Sequence, residues 1–290
     1  MVDLAVARPP TLPAKDVAAH PASRPPAARV TRRRRLAPGK RWRFASFVGP
    51  IAVLAAWSLV SGAGLTDPRV LPAPWTVLAT LVRLWTDGTL ASDILTSLTR
   101  AGAGFAGGLV LGVVLALLAG LSRAGDALID GTVQVKRAIP TLGLIPLLIL
   151  WLGIGESFKI VTIALGVFVP IYINLVAALQ GIDNRYVELA QVAGLNRWQF
   201  IREVVFPGAL PGFFTGLRLS VTISWLALVV LEQINATSGL GYLMYQAQNY
   251  GQVDVIMVGL LIYAVFGFVT DLGVRALERR SLSWRRGLST

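Results

Sequence analysis

The sequence predicts an all-α, polytopic membrane protein, and three observations carry that prediction. Of the 290 residues, 54% are hydrophobic and only 14% charged, with a mean hydropathy of +0.65. A soluble domain carries about 25% charge and has no place to hide so much apolar surface. The apolar residues also gather in six runs, each near the ~20 residues that a helix needs to cross the hydrocarbon layer. Finally, the basic residues cluster in the N-terminal tail and between the runs, which is how charge is placed on a membrane protein.

The runs are expected as follows. Residues 44–61 form the first, preceded by four consecutive arginines at 32–35. A cleaved signal peptide, with small residues at 61–64, is the alternative. The long basic tail and the five later runs favour an uncleaved anchor. Residues 101–121 carry no charge, and neither do 138–155, which hold Pro140 and Pro146, nor 160–182. The run 208–231 is interrupted by Arg218, and 255–274 by Asp271. The implied domain order is a disordered basic tail over 1–43, the first span over 44–61 and an outer segment over 62–92. The main transmembrane domain follows over 93–277, with a basic tail over 278–290. In the outer segment, Trp75, Leu78, Leu81, Val82 and Trp85 fall at helical spacing, which predicts an interfacial helix with tryptophan anchors. Gly104, Gly108 and Gly112 form a small-residue stripe that lets helices approach closely.

Six spans put both termini on one side. With the N-terminus inside, 23 of the 27 basic residues lie inside and four (Arg69, Arg83, Arg100 and Lys159) outside. This asymmetry orients the chain. It also accounts for the net charge of +12 without nucleic acid as a partner.

Several chemistries are excluded by residue type. There is no cysteine, and the single histidine, His20, lies in the tail. That leaves no thiolate or multi-histidine metal site and no Ser-His-Asp triad, so no catalytic or metal-ligating set is assigned. No Gly-x-x-x-x-Gly-Lys-Ser/Thr surrounds Lys15, Lys40, Lys136 or Lys159. The chain therefore has no loop of this kind to hold ATP, and no cofactor is expected in it.

The inner segment 183–211 is too polar for lipid and too patterned for a slack connection. Asp183 or Asn184 can cap a helix over 185–193, and Gly194 stands where such a helix stops. Asn196 with Gln199 reads as a capping box for a second helix over 197–205, ended by Pro207. Trp198, Ile201 and Val205 are expected on one apolar face of it. The bland reading is a hairpin that merely joins two spans.

The same loop carries a resemblance. The string Glu188-Leu189-Ala190-x-x-x-Gly194, then Val204-x-Phe206-Pro207, resembles the Glu-Ala-Ala loop of ABC-importer permeases. Leu189, Val204 and Phe206 depart from the family's Ala, Ile and Leu and keep apolar character. The resemblance runs over roughly residues 70–286. It includes Leu71-Pro-Ala-Pro74, Arg137-Ala-Ile-Pro-Thr141 and Gly166-Val-Phe-Val-Pro-Ile-Tyr172, which are similar to permeases for sulfonates, taurine and nitrate. Glu232-Gln-Ile-Asn-Ala236, Gly239-Leu-Gly-Tyr242 and the ending around Trp284 resemble the aliphatic sulfonate members most.

The resemblance implies a type I importer permease with cytoplasmic coupling helices, set in the bacterial inner membrane. It implies two copies of an ABC ATPase subunit, which binds the ATP, and a periplasmic or lipid-tethered substrate-binding protein. A second permease copy, expected as a homodimer, completes the pathway. Glu188, Ala190, Gly194, Val204 and Pro207 are then the ATPase-coupling residues. For the pathway or its gate the candidates are Ser220, Thr222, Ser224, Glu232 and Asn235. Hydroxyls that bond their own helix, and a merely interfacial polar end, are the competing readings. A secondary transporter predicts intramembrane carboxylates at mid-span, and a membrane enzyme predicts a carboxylate or Ser/Lys site. The scattered, single Asp and Glu residues favour neither.

Overall fold

In the computed structural model, residues 45–284 are described, with side chains from Val48 onward. The tail expected over 1–43 and the residues 285–290 lie outside them. The chain divides into Met1–Gly49 and Pro50–Thr290; of the first unit, the described part is the opening of α1. Among the described residues every regular element is helical. In order they are α1 (Ala45–Gly62), α2 (Pro74–Thr86), α3 (Thr89–Leu121), α4 (Arg123–Ala138) and α5 (Thr141–Leu152). There follow α6 (Glu156–Gln180), α7 (Asn184–Val192), α8 (Arg197–Asn235), α9 (Leu240–Asn249) and α10 (Val253–Ser281).

Helices α3, α6, α8 and α10 are each long and apolar enough to cross a membrane. The third run, expected as one span over 138–155, is broken. At its start α4 ends and α5 begins, the two meeting at 88°, the bend of a broken span or of a re-entrant loop. The cause is local. Proline at 140 crowds a helical conformation at the residue before it, and Ile139 is extended, at φ −88° and ψ 120°. The described apolar part of α1 is shorter, Val48–Gly62.

Helix α6 is the centre of the bundle. Of its apolar stretch 61% is enclosed, against 28% for α3 and for α10. Ile163, Val167, Ile171 and Tyr172 are completely buried on it. The glycine stripe of α3 packs against these residues, so close that a Cβ on Gly104 would stand 2.6 Å from the Cβ of Ile163. On its other side α6 meets α8 through Gly212 and Gly216, whose added Cβ atoms would reach the carbonyls of Asn174 and Pro170 at 2.5 and 2.8 Å. Small residues thus set the helix separations on both sides, as expected where lipid supplies no hydrophobic drive between helices. Val110, Val114 and Leu118 of α3 and Leu261, Val265, Phe268 and Leu272 of α10 point away from the bundle.

Helix α2 forms where the Trp and Leu periodicity predicts it, with Pro74 in its first turn, where proline's missing N–H costs nothing. Val77 and Thr80 are buried, while Trp75, Leu78, Val82 and Trp85 are more than half exposed. The Thr80 hydroxyl donates to Asp254 at 2.6 Å, which ties α2 to the start of α10. Four of the five stripe residues therefore face away from the bundle, as those of an interfacial anchor do, while Leu81 packs against its core.

Candidate functional site

The inner loop is two helices joined by a stiff turn. The Asp183 side chain caps α7 by accepting from the Arg185 backbone N–H at 2.9 Å. At the far end Gly194 adopts φ +68°. Its N–H donates to the Gln191 carbonyl at 3.1 Å, and the Leu195 N–H reaches back to Ala190 at 3.0 Å. These two bonds make a Schellman stop, which glycine favours because its left-handed conformation costs other residues more. Asn196 and Gln199 then exchange two hydrogen bonds, each 2.9 Å, as a capping box.

Beyond the box the chain departs from expectation. Pro207 does not end the second helix, because α8 continues without interruption to Asn235. A π turn over Ile201–Val205 precedes the proline, and a helix resumes at Phe206 with Pro207 in its first turn. There the missing N–H interrupts no ladder. The same turn breaks the expected apolar face. Trp198 is 71% exposed whereas Val205 is buried, since the wider turn rotates Val205 away from the tryptophan's side.

The loop presents an exposed apolar surface: Tyr186, Leu189 and Val192 on α7 with Trp198 on α8. Among the coupling candidates, Glu188 and Gly194 are exposed and Ala190 is the buried residue of α7. Val204 and Pro207 are half-buried and line a cleft of about 530 Å³ with Ile182, Tyr186 and Trp284.

The opposite end of the bundle holds a buried ionic knot. The Glu232 carboxylate is completely inaccessible. It accepts from Arg100 Nη1 at 2.8 Å, from the Ser97 hydroxyl at 2.8 and 2.9 Å, from the Gly241 N–H at 2.8 Å and from the Tyr263 hydroxyl at 3.2 Å. Arg100 spends its remaining donors on the Ser238 carbonyl at 2.6 Å and on both oxygens of Glu156. Lys159 meets the same Glu156 carboxylate at 3.0 Å. Asp93 accepts from the Gly239 N–H at 2.7 Å, and Ser97 from the Leu240 N–H at 2.9 Å. The turn between α8 and α9 is thereby clamped to α3. Gly239, at φ +109°, has no room for a side chain, because a Cβ there would stand 2.7 Å from Arg100 Nη1. The Gly239-Leu-Gly motif is thus the backbone's half of the knot.

A family model described as the inner membrane component of binding-protein-dependent transport systems matches residues 108–283. The chain belongs to this family. Among curated proteins, it is 41% identical over 249 residues to a putative aliphatic sulfonates transport permease of Escherichia coli K12, covering 85% of this chain and 95% of that one. The Bacillus subtilis protein of the same description is 39% identical over 236 residues, 81% of this chain and 86% of the relative. Among solved structures, an amino acid ABC transporter crystallised with histidines superposes with a TM-score of 0.56 at 17% identity, over 69% of this chain and 97% of that one. This last likeness concerns the fold.

The permease is therefore the membrane subunit of an importer, and its ATPase is a separate subunit. Its candidate pathway residues do not converge. Ser220 is buried and donates to the Val167 carbonyl of α6 at 2.7 Å. Ser224 bonds Val221 of its own helix at 2.8 Å, and the exposed Thr222 bonds Arg218 at 3.3 Å. Asn235 is half-buried at the end of α8, one turn beyond Glu232. Arg218 pairs with Glu278 at 2.6 Å and Asp271 at 3.6 Å, and Asp271 holds Arg275 at 2.6 Å as the i,i+4 spacing predicts.

Sequence reasoning missed Asp93, Ser97, Arg100, Glu156, Lys159 and Tyr263. A signal for three of them was present: 93, 97 and 100 fall at helical spacing on one face. Arg100 reads instead as the edge of an uncharged run, yet α3 begins eleven residues earlier, at Thr89.

Proposed function

We propose that this permease imports an aliphatic sulfonate, and that its ATPase docks on the inner loop between α6 and α8. The observation that carries the docking role is the loop itself. Two capped helices meet at Gly194 and expose Tyr186, Leu189, Val192 and Trp198 to a partner. An exposed apolar patch with a polar rim is the usual mark of a protein interface. Glu188 and Gly194 lie on its surface, while Ala190, Val204 and Pro207 hold the loop's shape. The ATP is bound by two copies of that ATPase subunit. A second copy of this permease and a periplasmic or lipid-tethered binding protein complete the importer. Both termini are cytoplasmic, a reading supported by the excess of basic residues on the loop side. The sulfonate assignment draws on the relatives' description and on the resemblance over 232–242.

The cargo is tested by uptake into cells carrying this chain with its ATPase and binding protein, comparing labelled ethanesulfonate, taurine and nitrate. Ethanesulfonate is expected to be carried best; uptake of taurine alone or nitrate alone refutes the assignment. For the loop, Gly194→Val forces a β-branched residue into a left-handed conformation at roughly 1–2 kcal/mol. A Cβ there meets no atom within 4 Å, so the cost is conformational and Gly194→Asn is expected to be mild. Uptake should fall with Gly194→Val and with Glu188→Lys while membrane insertion persists. Normal uptake and normal ATPase co-purification in both variants count against docking here.

A further inference from the structure

Lys136 reads in the sequence as part of an inner loop, but its ammonium reaches across to α6. It sits in the last turn of α4 and donates to the Thr141 hydroxyl, across the helix break, at 2.8 Å. It also donates to the Leu165 carbonyl of α6 at 2.6 Å. Leu165 is nine residues from the start of α6 at Glu156, about 14 Å along a helix that rises 1.5 Å per residue. In a hydrocarbon layer of about 30 Å, that is close to the midplane. The Ser220–Val167 bond marks the same level, half-way along the straight stretch of α8 that starts at Phe206.

Several of the other cations in the spans described above have found a counter-charge. Arg100 and Lys159 hold Glu156, and Arg218 and Arg275 hold Asp271. Among the described residues Lys136 forms no ion pair. Its partners are a hydroxyl, a carbonyl and the face of Phe168, 5.4 Å from the ring centroid. An ammonium has three donors, and two are occupied by neutral acceptors. The side chain is half-buried and borders an open cavity of about 250 Å³ lined by Leu115, Thr132, Val133 and Phe168. The break adds the first N–H groups of α5 beside Thr141, which also favour negative charge. An ionisable group held within the membrane is costly and commonly marks an ion or solute path.

We infer that Lys136, assisted by Thr141, is the mid-membrane contact for the anionic head of the transported solute. This rests on the reading that the cargo is a sulfonate-type monoanion. One cation already shared with neutral acceptors attracts such an anion and lets it go, whereas a cluster of free cations would retain it.

The test uses the whole importer in proteoliposomes, with ATPase and binding protein, and ethanesulfonate as the probe. Lys136→Gln keeps donors for Thr141 and Leu165 but removes the charge. It is expected to lower uptake about tenfold, the loss of one charge-assisted hydrogen bond. The ATPase activity stimulated by loaded binding protein and the melting temperature of the purified complex should stay near wild type. Lys136→Arg should restore most of the uptake. The inference is overturned if Lys136→Gln transports normally. It is equally overturned if uptake, stimulated ATPase activity and melting temperature fall together, because Lys136 is then only a strut across the break. Wild-type uptake decides the sulfonate reading separately. The ratio of variant to wild type decides the Lys136 contact for whichever anion is carried, and an uncharged cargo overturns it.

Discussion

Arg100→Met is expected to destabilise the permease more than any other single exchange in the knot, by about 3–5 kcal/mol, the usual cost of breaking a buried ion pair from one side. Glu232 is completely buried and cannot recruit water when its cation is lost. The Ser238 carbonyl loses its donor as well. Glu156 is different, because 54% of its side chain is exposed and it can hydrate. Glu156→Gln leaves the buried Lys159 with an amide oxygen in place of its carboxylate, so it should cost about 2 kcal/mol, still less than Arg100→Met. The order is checked by thermal denaturation of the purified complex in detergent. Equal melting temperatures for the two variants contradict the account. Removing Glu232 together with Arg100 should rescue only in part, since the Gly241 N–H, Ser97 and Tyr263 would then lack an acceptor.

The second large effect is expected at Gly108. A Cβ there would lie 2.6 Å from the Ala164 carbonyl oxygen and 2.7 Å from the Val167 Cβ. Both belong to the most enclosed helix of the bundle, and one is backbone, so neither can turn aside. Gly108→Val should force α3 and α6 apart and cost about 3 kcal/mol, the upper end for overpacking. Gly102 on the same helix meets nothing within 4 Å, so Gly102→Val is the control and should insert and melt like wild type. The comparison is read as the yield of monodisperse protein and its melting temperature. Equal behaviour of the two variants would mean that the stripe does not set the helix separation.

These two sites differ in how far the sequence reveals them. The glycine stripe shows as a four-residue repeat, and the inner loop is legible because its bonds are local. Asp183 caps two residues on, and the box from Asn196 to Gln199 spans three. The knot is not local. Its bonds from α3 to Glu232 and to the turn after it join residues 132 to 146 positions apart, and no spacing announces which carboxylate an arginine will meet. Reading charges as span boundaries hid it further. Arg100 reads as a span edge and Lys136 as part of a loop, yet one is neutralised inside the bundle and the other bonds the carbonyl of Leu165 in α6. The bend between α4 and α5 was half visible. Pro140 signals a break, but only the packing against α6 shows which way the two halves turn.

The π turn has a mechanical consequence. Because it carries the backbone past Pro207 without a stop, α8 joins the inner loop to the outer knot as a single rod from Arg197 to Asn235. At 1.5 Å per residue the rod is about 58 Å long, and Glu232 sits almost at its far tip. A tilt of about 5° around its midpoint moves each tip by about 2.5 Å in opposite directions, roughly the length of a hydrogen bond. Leverage of this kind requires no relay of side chains between the two surfaces. A displacement of Trp198 at one end of the rod is therefore expected to reach the clasp around Glu232 at the other.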